Sequence, residues 1–307
     1  MSNDAGDSVN ASTRYCAVFG HPVNHSASPA MQNAGLAALG LNWRYLAFDV
    51  HPDFLRQAID GTKRMGFIGV NLTVPHKLLA VDMVDVLDDQ ARTLGAVNTI
   101  VFETRDRAGS WAPVGGVDVR AGQDVRSRGL NTDADALVQA LKEEFGLESL
   151  RGAAVLLLGA GGAARAAALR LAQEGLVALY LVNRTQSRAD QLAVEVAKSY
   201  PGARTVVGYP SESVDLVINA TSLGLKAEDA LPIDLQWLKA RRPRFVFDMI
   251  YRPMETGLLR AARSAGCRAA NGASMLLHQG TRALELWTGR PAPVKVMRAA
   301  LEKNLYG

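Results

Sequence analysis

Apolar and polar positions change places in blocks along the 307-residue chain. Short apolar runs closed by Gly, Pro or Asn predict strands, and longer stretches with helical spacing predict helices between them. The first strand is expected at residues 15–19, stopped by Gly20 and Pro22. A polar loop, HPVNHSASP at 21–29, leads into a helix that Ser28 can cap, with Pro29 at its first position and Gly40 just past its end. Residues 42–50 alternate as a strand, and 53–65, between Pro52 and Gly66, form a helix. A strand is expected at 67–74, helical chain through Leu94, and a further strand at 95–101. This order predicts an α/β domain.

In the second half, the wholly apolar run at 155–158 ends on Gly159-Ala160-Gly161-Gly162-Ala163 and passes into a small-residue helix. That is the order of a phosphate-binding strand–turn–helix, in which glycines let the backbone approach an anion facing the helix N–H groups. Glycines alone occur in any parallel α/β connection, so the flanks must narrow the reading. A second apolar run, 178–182, delivers Asn183-Arg184-Thr185, with Arg188 one helical turn later. NAD-binding chains usually place Asp or Glu near this point for the ribose hydroxyl. Guanidinium groups there suit a 2′-phosphate instead, which predicts NADP(H) as cofactor. Strands are also expected at 214–219 and 244–248 and near Arg268, with a helix at 256–265 and two more between 272 and 305. The strand ends carry Thr221 and Ser222, then Met249 and Tyr251.

These elements predict two α/β domains. A flexible tail at 1–13 precedes a first domain that begins at residue 14 and runs to 132. Residues 133–271 form a doubly wound Rossmann-type domain, opened by a helix at 134–145. Residues 104–129, rich in Gly, Arg and Asp, read as a hairpin or mobile surface loop.

Composition adjusts this picture little. The chain is 48% hydrophobic and 21% charged, as in a soluble globular protein, and its net charge of +4 comes from scattered residues. Neither a nucleic-acid nor a membrane partner is expected. Cys16 and Cys267 lie far apart, no apolar run reaches membrane-spanning length, and the first residues lack signal-peptide features. A cytoplasmic protein, monomeric or homodimeric, is expected. The histidines show no ligand spacing, so no metal is assigned.

Candidate chemistry gathers at five stations: Ser26/Ser28, Asn71/Thr73/Lys77, Asn98, Asp133 and Gln279. Each has a bland alternative. Ser28 and Asp133 could be helix caps, and Asn71 and Thr73 could lie on a solvated sheet face. Val70, Leu72 and Val74 look core-facing, however, which would leave the polar side for a cleft. Lys77 follows Pro75 at a helix start, where the dipole disfavours a purely structural cation. A hydride-transfer enzyme needs a proton donor at the carbonyl oxygen, and Lys77 held by Asp133 could supply it.

Together these motifs resemble the shikimate dehydrogenase family, in the family's order and over nearly the whole chain. The resemblance implies an N-terminal substrate domain of residues 14–132, to which the last two helices, within 272–307, return, and a Rossmann NADP domain of residues 133–271, with a cleft between them. It implies NADP-dependent interconversion of 3-dehydroshikimate and shikimate in aromatic amino-acid (chorismate) biosynthesis, with Lys77 and Asp133 catalytic. It further implies that Ser26 and Ser28 bind the substrate carboxylate, while Asn71, Asn98, Asp133 and Gln279 hold its hydroxyls, with Thr73 and Tyr251 beside them. The implied cofactor residues are Gly159, Ala160, Gly161, Gly162, Ala163, Asn183, Arg184, Thr185 and Arg188, with Thr221, Ser222, Met249 and Gly272 on the cofactor side. Ala134 stands where the family often has glycine, and 104–129 is longer than its usual hairpin. Two alternatives stay open: a quinate/shikimate dehydrogenase with dual substrate use, and a non-catalytic shikimate-binding sensor. Arg184 and Ser28 favour the shikimate enzyme over the first, and the Lys77–Asp133 pair weighs against the second.

Overall fold

The computed structural model describes residues 9–117 and 123–307. It divides into two compact units, one running to Thr132 and resuming at Gln279–Gly307, the other Asp133–His278. Residues 272–278, expected with the substrate domain, therefore fall in the second unit.

The first unit begins with β1 (Arg14–Gly20), α1 (Ser28–Ala38), β2 (Trp43–Asp49), α2 (Leu55–Arg64) and β3 (Gly69–Leu72). Then come α3 (His76–Leu79), β4 (Val86–Leu87), α4 (Asp89–Leu94), β5 (Thr99–Arg105), β6 (Trp111–Pro113) and β7 (Val125–Leu130). The strands form a mixed sheet in the order β2-β1-β3-β5-β7-β4, with β6 paired to β5. β1 lies parallel to β2 and β3, while β5 runs antiparallel to β3, β6 and β7. α2 shows how sequence spacing sets burial: Leu55, Ile59 and Thr62 recur about one turn apart and face inward, and Gly66 at φ 76° follows its end.

Several local expectations give way here. Residues 10–13 are not a free tail, because the Thr13 hydroxyl donates to Asn42 Oδ1 at 2.9 Å and Asn42 Nδ2 donates to Ser12 Oγ; residues 1–8 lie outside the described residues. Ser28 is the first residue of α1 and not its cap, which is Ala27 without a side-chain bond. β3 stops at Leu72, and Val74 is 70% exposed, so no core-facing alternation continues through Val74. The continuous helix to Leu94 is interrupted by β4, whose partner β7 lies some forty residues on. Asp88 then caps α4, accepting from Ala91 N at 2.6 Å. Gly95 ends α4 in the left-handed region, so the next strand begins at Thr99. Of residues 104–129, the described part is strand and hairpin: Asp106 Oδ1 accepts from Ala108 N and Ser110 N at the β5–β6 turn. The Trp111 ring lies between the Arg105 and Arg126 guanidiniums, each 4.2 Å from its centroid. Residues 118–122 lie outside the described residues.

The second unit comprises α5 (Asp133–Phe145), β8 (Ala154–Leu158), α6 (Gly162–Ala172), β9 (Ala178–Val182), α7 (Gln186–Ser199) and β10 (Thr205–Val207). It continues through β11 (Leu216–Asn219), α8 (Leu235–Arg241), β12 (Phe245–Asp248), α9 (Gly257–Ser264), β13 (Arg268–Ala270) and the start of α10 (Ala273–Thr288). β10, a short strand, was not expected. All six strands are parallel, in the order β10-β9-β8-β11-β12-β13. The order reverses between β8 and β11, the crevice where open α/β sheets bind ligands. β8 and β11 are buried on both faces, which is why they read as unbroken apolar runs.

The rest of α10 and α11 (Val294–Tyr306) belong to the first unit. α11 packs along α1. Gly35 and Gly280 permit the close approach of α1 to α10: a Cβ on Gly35 would come 2.9 Å from Leu284 Cδ2, and one on Gly280 would come 2.2 Å from Met31 Cε. Trp287, fully buried, donates its indole N–H to Ile100 O at 3.0 Å.

Candidate active site

Three strand ends of the first unit bring polar residues together. Asn71, at the end of β3, is buried; its Oδ1 accepts from the Tyr45 hydroxyl at 2.8 Å. Its Nδ2 donates to Thr99 Oγ1 at 3.0 Å and to Asn98 O at 3.3 Å. Asn98 is buried too, with Nδ2 on Thr132 Oγ1 at 3.0 Å and Oδ1 accepting from Thr132 N at 2.7 Å. Ser28 is buried at the start of α1, and Ser26 Oγ accepts from its N–H at 3.3 Å. One hydrogen-bonded chain therefore runs from Tyr45 through Asn71 and Thr99 to Asn98 and Thr132. Such a fully satisfied network holds each amide in one orientation.

Thr73 lies just past β3, its N–H on Phe19 O and its methyl filling the space beside Gly20. Lys77 sits in α3, partly exposed, and its carbonyl accepts from Val97 N at 2.8 Å, which ties it to the segment entering Asn98. Gln279 is buried beside Gly280, whose carbonyl accepts from Gln32 Nε2 of α1 at 2.9 Å, one turn beyond Ser28. The six first-unit candidates in the 26–98 stretch thus gather at one end of the sheet. His76, next to Lys77, is fully buried with no good partner for either ring nitrogen, and burial pushes its pKa below the usual histidine value.

The second unit carries the remaining candidate residues. Asp133 is the first residue of α5, directly after Thr132. Gly159 turns the chain at φ 111°, its N–H on Val182 O at 2.8 Å, and a Cβ there would press on Ala220 and Thr221. Gly161 then caps α6 with no side-chain bond, no acidic residue stands in the first turn, and a Cβ on Gly161 would meet nothing within 4 Å. The first turn of α6 therefore has neither a side-chain cap nor a competing carboxylate, and there is open space beside Gly161, which suits a pyrophosphate. Arg184 and Arg188 are exposed and enter no ion pair among the described residues. Both follow Asn183, whose Nδ2 donates to Thr185 O at 2.8 Å. The arrangement fits a phosphorylated dinucleotide.

At the ends of β11 and β12 the side chains serve the fold first. Asn219, fully buried, donates to Asp248 Oδ1 at 2.9 Å, and its Oδ1 accepts from Thr221 N and Oγ1. Thr256 donates to Asp248 Oδ2 at 2.7 Å and caps α9 through Leu259 N. Burial raises the Asp248 pKa, against the pull of these donors. The Thr221 hydroxyl is taken up in its own turn, accepting also from Leu223 N, while Ser222 is exposed and Tyr251 partly exposed. Gly272 packs on Met249, whose carbonyl oxygen would lie 2.1 Å from a Cβ.

Sequence reasoning missed Tyr45, Thr99, Thr132, Asn219, Asp248 and Thr256. Thr99 and Thr132 adjoin predicted residues, and Asn219 and Asp248 end predicted strands, so position offered a signal for these four. Tyr45 sits in an ordinary alternating strand and offered none. Among the described residues no cluster of three or more His, Cys, Asp or Glu could hold a metal ion, and no helix is long and apolar enough to cross a membrane.

Comparison with known proteins agrees with this layout. Residues 18–100 match the shikimate dehydrogenase substrate binding domain, 139–249 the shikimate / quinate 5-dehydrogenase family, and 272–302 the shikimate 5'-dehydrogenase C-terminal domain. The shikimate dehydrogenase (NADP(+)) of Desulforamulus reducens is 41% identical, covering 97% of both chains. A crystal structure of a shikimate dehydrogenase with NADP+ superposes with a TM-score of 0.84 at 34% identity, covering 98% of this chain and 99% of that one. The Thermus thermophilus enzyme, solved with NADP(H) and shikimate, gives a TM-score of 0.78 at 35% identity, covering 95% and 100%. With its strand-end cluster, its uncapped glycine turn and this full-length likeness, the chain belongs to the shikimate dehydrogenase family.

Proposed function

We propose that the protein catalyses the reversible, NADPH-dependent reduction of 3-dehydroshikimate to shikimate, a step in the biosynthesis of aromatic amino acids. The observation that carries this reading is the buried chain from Tyr45 through Asn71 and Thr99 to Thr132, with Lys77 tied to the segment entering Asn98, on a scaffold similar along its length to NADP-linked shikimate dehydrogenases. Ser26 and Ser28 bind the carboxylate; Asn71, Asn98, Asp133 and Gln279 hold the ring hydroxyls; Thr73 and Tyr251 border them. Residues 159–163 take the pyrophosphate, and Asn183, Arg184, Thr185 and Arg188 the 2′-phosphate. Thr221, Ser222, Met249 and Gly272 line the nicotinamide side. Bound NADPH supplies the hydride. Lys77 gives a proton from Nζ to the carbonyl oxygen, and Asp133 orients the ammonium. In this reading 14–132 with 272–307 serve the substrate and 133–271 the cofactor, and the enzyme works in the cytoplasm as a monomer or homodimer.

A spectrophotometric assay of NADP reduction with shikimate tests the reading. Loss of a general acid costs on the order of 10²–10⁴-fold in turnover. Lys77→Ala is expected to lose kcat on that scale with only a modest rise in KM; near-normal kcat would sink the role of Lys77. Because one matching family model spans quinate as well as shikimate enzymes, the assay is repeated with quinate and with NAD. The expected preference is shikimate with NADP, and comparable turnover of quinate with NAD would make the enzyme a dual one.

A further inference from the structure

We propose that Gln32 is a positioning residue of the substrate site, whose buried amide sets the register of α10 on α1 and with it the spacing of Ser28 from Gln279. The inference rests on the reading of Ser28 and Gln279 given under Proposed function. Gln32 is fully buried in α1, one helical turn beyond Ser28 and on the same inward face. Its Nε2 donates to Gly280 O of α10 at 2.9 Å, and Gly280 directly follows Gln279.

The neighbouring contacts between these helices are apolar and close. Met31 of α1 leaves no room for a Cβ on Gly280, and Leu284 of α10 with Met297 of α11 leaves none on Gly35. Burial of apolar surface has no direction, so it holds helices together without fixing how far one slides along the other. A buried polar contact does fix it, as a single polar residue sets the register of a helical seam. The Gln32 amide meets that description, because its N–H finds the Gly280 carbonyl at one register of α10 on α1.

Stability alone does not account for this side chain. Gly280 O lies inside α10, where the backbone N–H four residues on already bonds to it. Gln32 Oε1 is buried with no hydrogen-bond partner among the described residues. An orphan acceptor in the interior costs more than one neutral hydrogen bond contributes. An apolar side chain of the same length would therefore serve the packing as well or better. What the amide adds is direction: a carbonyl one residue from Gln279 is held by a side chain one turn from Ser28. A substrate gripped by both residues then meets them at a fixed separation.

Gln32→Met keeps the length of the side chain and removes both polar atoms. Because one neutral hydrogen bond corresponds to about a fivefold change, KM for shikimate is expected to rise about fivefold. The same variant should keep kcat within about threefold, KM for NADP unchanged, and Tm unchanged or raised. In Gln32→His the ring Nε2 stands as many bonds from the backbone as the amide nitrogen and can donate to the same carbonyl, so KM should return to within about twofold of the native value. On top of Gln279→Ala, Gln32→Met should add less than about twofold. An unchanged KM in Gln32→Met, or a rise that Gln32→His shares in full, overturns the proposal. If Ser28→Ala and Gln279→Ala leave KM for shikimate unaltered, the reading of the site fails and the role of Gln32 with it. If they raise KM and Gln32→Met does not, Gln32 alone is misassigned. A measurement on the native chain avoids any folding defect: with glutamine side chains 15N-labelled, the Gln32 amide signal, assigned by its absence in Gln32→His, should move on titration with shikimate but not with NADP alone. A signal blind to shikimate overturns the proposal.

Discussion

Arg184 and Arg188 concern the choice of dinucleotide at the level of single side chains. Both are exposed and without ion pairs among the described residues, so their removal costs the fold little. A charge-assisted bond to phosphate contributes about 1.5–3 kcal/mol. The double change Arg184→Ala/Arg188→Ala is expected to raise KM for NADP by about a hundredfold while leaving KM for NAD within about twofold, read from initial rates with each cofactor. His76 makes a separate, pH-dependent prediction. Its folded pKa lies below the unfolded value, so the unfolded chain binds more protons as pH falls past about 6.5. Stability is then full above that value and is lost on going down toward the folded pKa. Asp49, whose pKa is lowered chiefly by the His21 hydrogen bond, loses its contribution only at lower pH, below the ordinary carboxylate value. His76→Phe should flatten the decline in unfolding free energy between pH 7.5 and 5.5, measured by urea titration. An unchanged slope would show that another group causes it.

At the scale of elements, α9 depends on one hydroxyl. Thr256 caps its first turn and also satisfies Asp248, which is buried at the end of β12. Thr256→Val keeps the shape and removes both bonds. A lost cap costs about 1 kcal/mol, and an unpaired oxygen on a buried carboxylate about 1–3 kcal/mol more. A loss of about 2–4 kcal/mol is expected from urea unfolding, with the m-value unchanged; a loss below 0.5 kcal/mol would show that water replaces the hydroxyl. The same contrast between local and distant partners explains what was legible beforehand. The β8–α6–β9 unit is legible nearly to the residue, because its turn glycines, its helix and its buried runs are adjacent in sequence. The helix assumed through Leu94 failed because β4 exists only by pairing with β7, a partner no local window contains. Residue type makes Ser28 a possible cap, yet it begins the helix, one position inside the cap residue Ala27. The site followed the same rule. Residues bearing recognisable chemistry, such as Lys77 and Asn98, stood out in the sequence. Tyr45 did not, because its importance comes entirely from Asn71, 26 positions away.

For the whole molecule, the chain builds two cores around two sheets, and α10 begins in one unit and ends in the other. The candidate nucleotide residues lie in the second unit, while the acid-binding serines and asparagines lie in the first. A ligand stabilises the state it binds by RT ln(1 + [L]/Kd), about 2.7 kcal/mol at a hundredfold excess over Kd. Hydrogen exchange can show where that stabilisation is felt, because amides open locally with their own free energies. NADP alone is expected to slow exchange in β8, the first turn of α6 and the end of β9, whose N–H groups surround the glycine turn. Shikimate alone should slow the first turn of α1, the end of β3 and the segment at Asn98, tied together through Tyr45 and Thr99. The buried amides of β1 serve as a control for NADP, and those of β12 for shikimate. Protection by NADP confined to the first unit would contradict the placement of the dinucleotide on α6. Protection by shikimate that spares α1 and β3 would contradict the placement of the acid on Ser28 and Asn71. Because the two ligands are scored on different sheets, one assignment can fail while the other stands.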